Sequence, residues 1–141
     1  MGDKEFKQSK IEGFSKFNIQ ESWKEFYYPD LTMSKEKTIV IMESSSTGDR
    51  KVHIGELIQF LSYVASDSDF DEYYLVIFLC GNGKNPPAED SEIRRLQFFY
   101  DKFPISREKR NKIKGIYVKK EVSKALALKF SEIKKYKGLS L

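Results

Sequence analysis

Two runs of consecutive apolar residues constrain this chain more than any other feature. Thr38-Ile39-Val40-Ile41-Met42 is β-branched and almost wholly apolar, and Tyr74-Leu75-Val76-Ile77-Phe78-Leu79-Cys80 is uninterrupted. Runs of this length without alternation fit strands buried on both faces, which need covering layers above and below. Between them Ile54, Leu57, Ile58, Leu61 and Val64 recur at helical spacing, predicting a core-packing helix over about 49–65. Strand, helix and strand in that order indicate an α/β domain.

The remaining segments extend the pattern. Residues 5–12 read as a short helix stopped by Gly13, and 17–28 as irregular strand, either bulged or turning near Glu21-Ser22. Asp30-Leu31-Thr32-Met33 alternates polar and apolar, and the polar Ser34-Lys35-Glu36-Lys37 suits a hairpin turn into the strand at 38–42. Ser44-Ser45-Ser46-Thr47-Gly48-Asp49 is a loop before the helix. Beyond the strand at 74–80 the expectation is a loop over 81–87, a helix over 89–103, a basic loop, and a strand over 115–118. A final helix would carry Val122, Leu126, Phe130 and Ile133 along one side. The order α-β-β-β-α-β-α-β-α implies one mixed central sheet with flanking helices on both faces.

The 141 residues match one ordinary domain. The 40% hydrophobic content, with 14% aromatic, is that of a folded protein. The longest apolar run, 73–80, is too short to cross a bilayer, and the polar start Gly2-Asp3-Lys4-Glu5 lacks a signal peptide's apolar stretch, so an intracellular, cytoplasmic protein is expected. Cys80 is the only cysteine, which rules out an internal disulfide or a multi-cysteine zinc site and predicts an inert buried thiol.

Charge is unevenly spread. Residues 104–141 carry twelve Lys and Arg against three Glu, a net of +9, whereas residues 1–103 carry thirteen against eighteen acids, a net of −5. A basic final third can follow a phosphate backbone while an acidic remainder gathers carboxylates around a metal, although lysines also solvate the outer side of an amphipathic helix.

The candidate chemistry lies on the hairpin. Pro29-Asp30 opens one strand and Glu43-Ser44-Ser45 closes the next, after twelve intervening residues. Across an antiparallel pair such positions lie opposite each other, so Asp30 and Glu43 converge. Two adjacent carboxylates repel unless a cation sits between them, and oxygen ligands favour Mg²⁺ or Mn²⁺.

Pro29-Asp30, a short turn, an apolar strand, Glu43-x-Ser45 and a following helix resemble the PD-(D/E)XK superfamily of restriction-type nucleases and junction resolvases. The resemblance covers residues 1–80, the α-β-β-β-α-β core, with 104–141 as a basic extension of one domain spanning 1–141. It implies a restriction endonuclease-like fold and a metal-dependent endonuclease hydrolysing phosphodiester bonds of DNA. Asp30 and Glu43 would be the metal ligands, and Glu12 or Glu5 an assisting acid from the first helix. The motif lysine is replaced by Ser45, so the resemblance implies either a relocated lysine, with Lys51 first, or a lost activity. His53, the only histidine, suits an ordinary surface role or a base, and Glu56 an added ligand or a salt bridge. A chain this small would dimerise to cut both strands of a duplex.

Two further readings stand beside this one: an inactive nuclease-like module that binds nucleic acid or a protein partner, and an unrelated α/β module with a small ligand beyond its strand ends. Gly81-Asn82-Gly83-Lys84 lacks Walker spacing and is followed by Pro86-Pro87, Phe98-Phe99-Tyr100 reads as core, and Ser44, Ser45 and Ser46 have no evident base to make one a nucleophile.

Overall fold

The computed structural model describes residues 2–45, 50–79, 88–121 and 124–141. The expectations for Cys80, the serine-rich loop beyond Ser45, the glycine-containing loop over 81–87 and Val122 fall outside these residues.

The central sheet has five strands in the order β2-β3-β4-β5-β6: Ser15–Lys16, Leu31–Lys35, Thr38–Ser45, Glu72–Leu79 and Ile113–Lys120. The first three are antiparallel neighbours, and the last three are parallel. The sheet is therefore mixed. Its hairpin needs only Glu36 in the left-handed region (φ 54°) between β3 and β4, whereas each parallel step needs a crossover helix. Those helices are α2, Arg50–Ser66, and α3, Glu89–Lys102.

Strand pleating sorts the apolar runs into two cores. Ile39, Ile41, Tyr73, Leu75, Ile77 and Leu79 meet α2 and α3 through Leu57, Phe60, Leu61, Val64, Leu96 and Tyr100. Val40, Met42, Tyr74, Val76 and Phe78 meet the opposite layer through Phe6, Ile11, Leu126 and Ile133. Because β4 and β5 have a covered layer on each side, they need no polar face, which is the physical origin of their unbroken apolar sequence.

The second layer departs from expectation. The helix foreseen over 5–12 is α1, Gly2–Phe6, after which the chain turns into β1, Lys10–Ile11. Gly13 has φ +83° and serves the turn from β1 to β2, not a helix cap. The helix foreseen near the end is also replaced. β7, Ala127–Leu128, pairs in parallel with β1, and among the described residues beyond β6 only α5, Phe130–Ile133, is helical, the short α4, Arg107–Arg110, lying before β6. The 126, 130, 133 spacing does mark inward residues, but long-range pairing with β1, including Lys10 N–H to Leu126 O at 2.8 Å, overrides helical propensity. Gly138 forms an isolated bridge with Tyr117, and a β-carbon there would stand 2.7 Å from the Ile116 carbonyl oxygen, so the close approach requires glycine.

The segment 17–28 is not a strand. It contains a 3₁₀ turn at Glu21–Trp23 and packs as an aromatic cover, with Trp23 and Tyr27 against Tyr63 of α2 at ring separations of 5.5 and 5.8 Å. Phe98 and Phe99, expected in the core, are exposed, and only Tyr100 of that trio is buried. Helix α3 has a single covered face, and three consecutive residues cannot all lie on it.

Candidate active site

The hairpin register sets the site. Leu31 faces Met42, so the next pair outward is Asp30 with Glu43. Leu31 and Met42 both enter the second core, hence Asp30 and Glu43, one residue along each strand, project to the other side, beneath α2. The two acids are interlocked: Asp30 N–H donates to Glu43 Oε1 at 3.1 Å, and Ser44 N–H donates to Asp30 Oδ2 at 2.8 Å. Each carboxylate is held by the strand that carries the other, which brings both to one end of the hairpin on one face of the sheet.

A third carboxylate comes from α2. Burial, and after it the charge of Asp30, raises Glu56 from 4.5 to about 8. Glu43, only 5% exposed, rises from 4.5 to about 9: burial contributes most, then Glu56, while the Asp30 N–H bond opposes the shift and the Asp30 charge adds to it. Tyr27, buried beside them, has its phenol held well above the ordinary value by burial first and then by Glu43 and Glu56. Burial and the neighbouring acids, Asp30 among them, thus disfavour ionisation of Glu43 and Glu56 near neutral pH. Glu56 Oε1 is buried and has no hydrogen-bond partner among the described residues.

Among the described residues no three His, Cys, Asp or Glu side chains form a ready-made metal cage. Magnesium does not demand one, since it is commonly held by one or two carboxylates with water and substrate phosphate completing the shell. The interlocked pair and the orphaned Glu56 oxygen fit that partial donor set.

Asp30 also lines a cleft of about 190 Å³ between the 16–19 and 27–32 segments. Lys7, Lys16 and Lys24 line it too, with Tyr28 at its edge. Lys24 is partnered by Glu21 at 2.9 Å, whereas among the described residues Lys7 and Lys16 form no ion pair. A cation-lined cleft sharing an acid with the carboxylate cluster can receive an anion beside those acids.

The other singled-out residues lie as follows. Ser45, at the motif lysine's position, lies on the same face as Glu43 and is buried, its Oγ without a partner among the described residues. Lys51 is exposed on the first turn of α2. His53 is neither a surface residue nor set among the carboxylates of the hairpin by any hydrogen bond: it is fully buried, with Nδ1 2.8 Å from Glu92 Oε2, and Arg95 holds the other Glu92 oxygen. This chain of contacts clasps α2 to α3. Glu12 is not on a helix; it is exposed in the turn after β1, where its neighbours Ile11 and Phe14 belong to the core on the far side of the sheet. Glu5 is exposed on α1, in that same layer.

Tyr27 and the cleft lysines escaped the sequence reading, because they come from segments without a hydrophobic period. The one available signal was Tyr27 standing three residues before Asp30. Among the described residues no helix is long and apolar enough to cross a membrane. Comparison of the chain with protein-family models, curated proteins and solved structures yields no match.

Proposed function

We propose that this protein is a Mg²⁺- or Mn²⁺-dependent nuclease that hydrolyses phosphodiester bonds of nucleic acid, with DNA as the first substrate to test, on a restriction endonuclease-like scaffold. The observation that carries the reading is the reciprocal backbone clasp of Asp30 and Glu43, which brings two acids distant in sequence to one end of the hairpin. Burial and mutual repulsion raise Glu43 and Glu56, so the cluster is stabilised by whatever positive charge enters it.

In this reading Asp30 and Glu43 would hold the divalent ion, with Glu56 of α2 beside them. When bound, such an ion would supply charge neutralisation at the phosphate and ease deprotonation of the attacking water. The chain's own residues bind and orient. Lys16 and Lys7 draw the phosphodiester into the cleft, and Asp30, common to cleft and cluster, fixes where the scissile phosphate stops. Ser45 offers no charge, so the cation supplied elsewhere by the motif lysine is drawn from the cleft lysines or from Lys51. Water attacks phosphorus and gives up a proton to solvent, the P–O bond to the leaving oxygen breaks in line, and that oxygen takes a proton from solvent. Cutting both strands of a duplex would call for a second copy of the chain.

The test is incubation with supercoiled plasmid, single-stranded and branched DNA, and RNA, with and without Mg²⁺ or Mn²⁺, for the native protein, Asp30→Ala and Glu43→Ala. Metal-dependent cutting lost in both variants is expected; cutting that persists in both, or needs no metal, overturns the proposal. The buried, uncharged Ser45 favours one competing reading, a nuclease-like binding module that has lost its catalysis. Binding without cutting under every metal condition would select it.

A further inference from the structure

The residues Phe26-Tyr27-Tyr28 are distributed in an informative way. Tyr27 is 1% exposed and anchors the segment in the core, while Phe26 and Tyr28 on either side are 65% and 69% exposed. Exposed rings of this size offer flat contact area that a binding surface can use. Tyr28 belongs to the wall of the cleft that contains Asp30, Lys7 and Lys16. Cationic side chains tracking a backbone, with an exposed ring beside them, are the two components of single-strand binding surfaces. A duplex offers the first component its phosphates but keeps its base faces stacked away from the second.

The size of the cleft points the same way. About 190 Å³ is below the range of roughly 300–1,000 Å³ typical of pockets that enclose a whole small ligand. A cleft of this size holds a segment of a larger molecule rather than a whole small ligand. We propose that this cleft binds an unpaired nucleic-acid strand, with phosphates at Lys7 and Lys16 and a base stacked on Tyr28. The inference rests on the nuclease reading for the meaning of Asp30, and it specifies that reading's substrate: single-stranded, flapped or splayed strands before intact duplex. Lys24 contributes less than the other two lysines, because Glu21 already holds it.

Fluorescence anisotropy in EDTA, so that no strand is cut, tests it with fluorescein-labelled oligonucleotides of about a dozen nucleotides, as single-stranded DNA, single-stranded RNA and DNA duplex. Single strands are expected to bind at least about tenfold more tightly than duplex, and the DNA and RNA arms show which sugar is preferred. Tyr28→Ala should weaken single-strand binding by about 5- to 150-fold, the range of one lost base stack, and Tyr28→Trp should restore it. Lys16→Ala should reduce the slope of log affinity against log salt by about 0.7, as for one lost phosphate contact on a single strand. Duplex binding as tight as single-strand binding, or an unchanged affinity in Tyr28→Ala, overturns the inference, as does full competition by heparin, a polyanion without bases, at equal charge. Metal-dependent cutting of duplex with no role for Tyr28 would refute this inference and leave the nuclease intact. Tyr28-dependent strand binding without cutting under any metal would do the reverse.

Discussion

Glu43→Gln separates the stability of the carboxylate cluster from its use. Glutamine keeps the side-chain length and an oxygen that can accept the Asp30 N–H, and it removes only the ionisation. Glu43 holds its proton up to about pH 9 in the folded chain, against an ordinary value of 4.5. Between those values the native state binds a proton that the unfolded chain releases, so the contribution of this group is fully present below about pH 4.5 and is lost as pH rises through about 9. At about 1.4 kcal/mol per pH unit, the interval from 4.5 to pH 8 sets a ceiling of about 5 kcal/mol on what ionisation of Glu43 takes from the metal-free fold. Even a third of that, about 1.5 kcal/mol, corresponds to roughly 3–8 °C in Tm for a domain of this size. Thermal unfolding in EDTA should therefore show Glu43→Gln falling less steeply than the native protein between pH 6 and pH 9, and melting higher at pH 8. With Mg²⁺ the order reverses: ion binding to the native state raises its Tm, more at pH 8 than at pH 6, while the variant gains little. Parallel pH profiles for the two proteins in EDTA, or an equal Mg²⁺ response, would refute the account of a charge-starved cluster.

Two further substitutions probe residues outside the carboxylate cluster. His53→Ala should cost about 3 kcal/mol in urea unfolding, because it leaves buried Glu92 with Arg95 as its remaining partner, and a loss under about 0.5 kcal/mol would show that the clasp between α2 and α3 is dispensable. Glu12→Ala should leave the rate of metal-dependent cleavage within about twofold of the native protein, since the residue lies in the layer across the sheet from Asp30. A drop of tenfold or more, or about 1.4 kcal/mol in the barrier, would contradict that placement.

The parts of the fold that could be read in advance are those whose environment is written locally. β4 and β5 are covered on both faces and have no polar alternation, and α2 shows its inward residues at helical spacing. Hairpin arithmetic alone was enough to bring Asp30 opposite Glu43. The unread parts take their conformation from distant partners. Lys10–Ile11 is a strand because Ala127–Leu128 lies beside it, and neither two-residue segment has a pattern of its own. The burial of His53 depends on Glu92, thirty-nine residues later, and nothing around His53 announces that partner. The cleft lysines come from three separate places, the turn after α1, the two-residue strand β2 and the end of the 3₁₀ turn, and no sequence repeat links them. Burial of Glu43 follows from its place at the end of an apolar strand, but the size of its displacement needed Glu56, which only the packing of α2 brings near.

The parallel pairing of β1 with β7 has a bearing on the order of folding. Ser9 Oγ accepts the Leu126 N–H across a separation of 117 residues, so this contact closes a loop that includes the whole hairpin, both crossovers and β6. Loop closure of that span is unfavourable until the elements inside it have condensed, and contacts of high sequence separation form slowly. A chain emerging from synthesis would assemble β3, β4 and α2, and with them the acidic pair, well before the layer bearing Lys7 was fastened down. The protein would therefore bring its acids together early and complete the cleft beside Lys7 late, with the closing of the belt between its first and last strands as the finishing step.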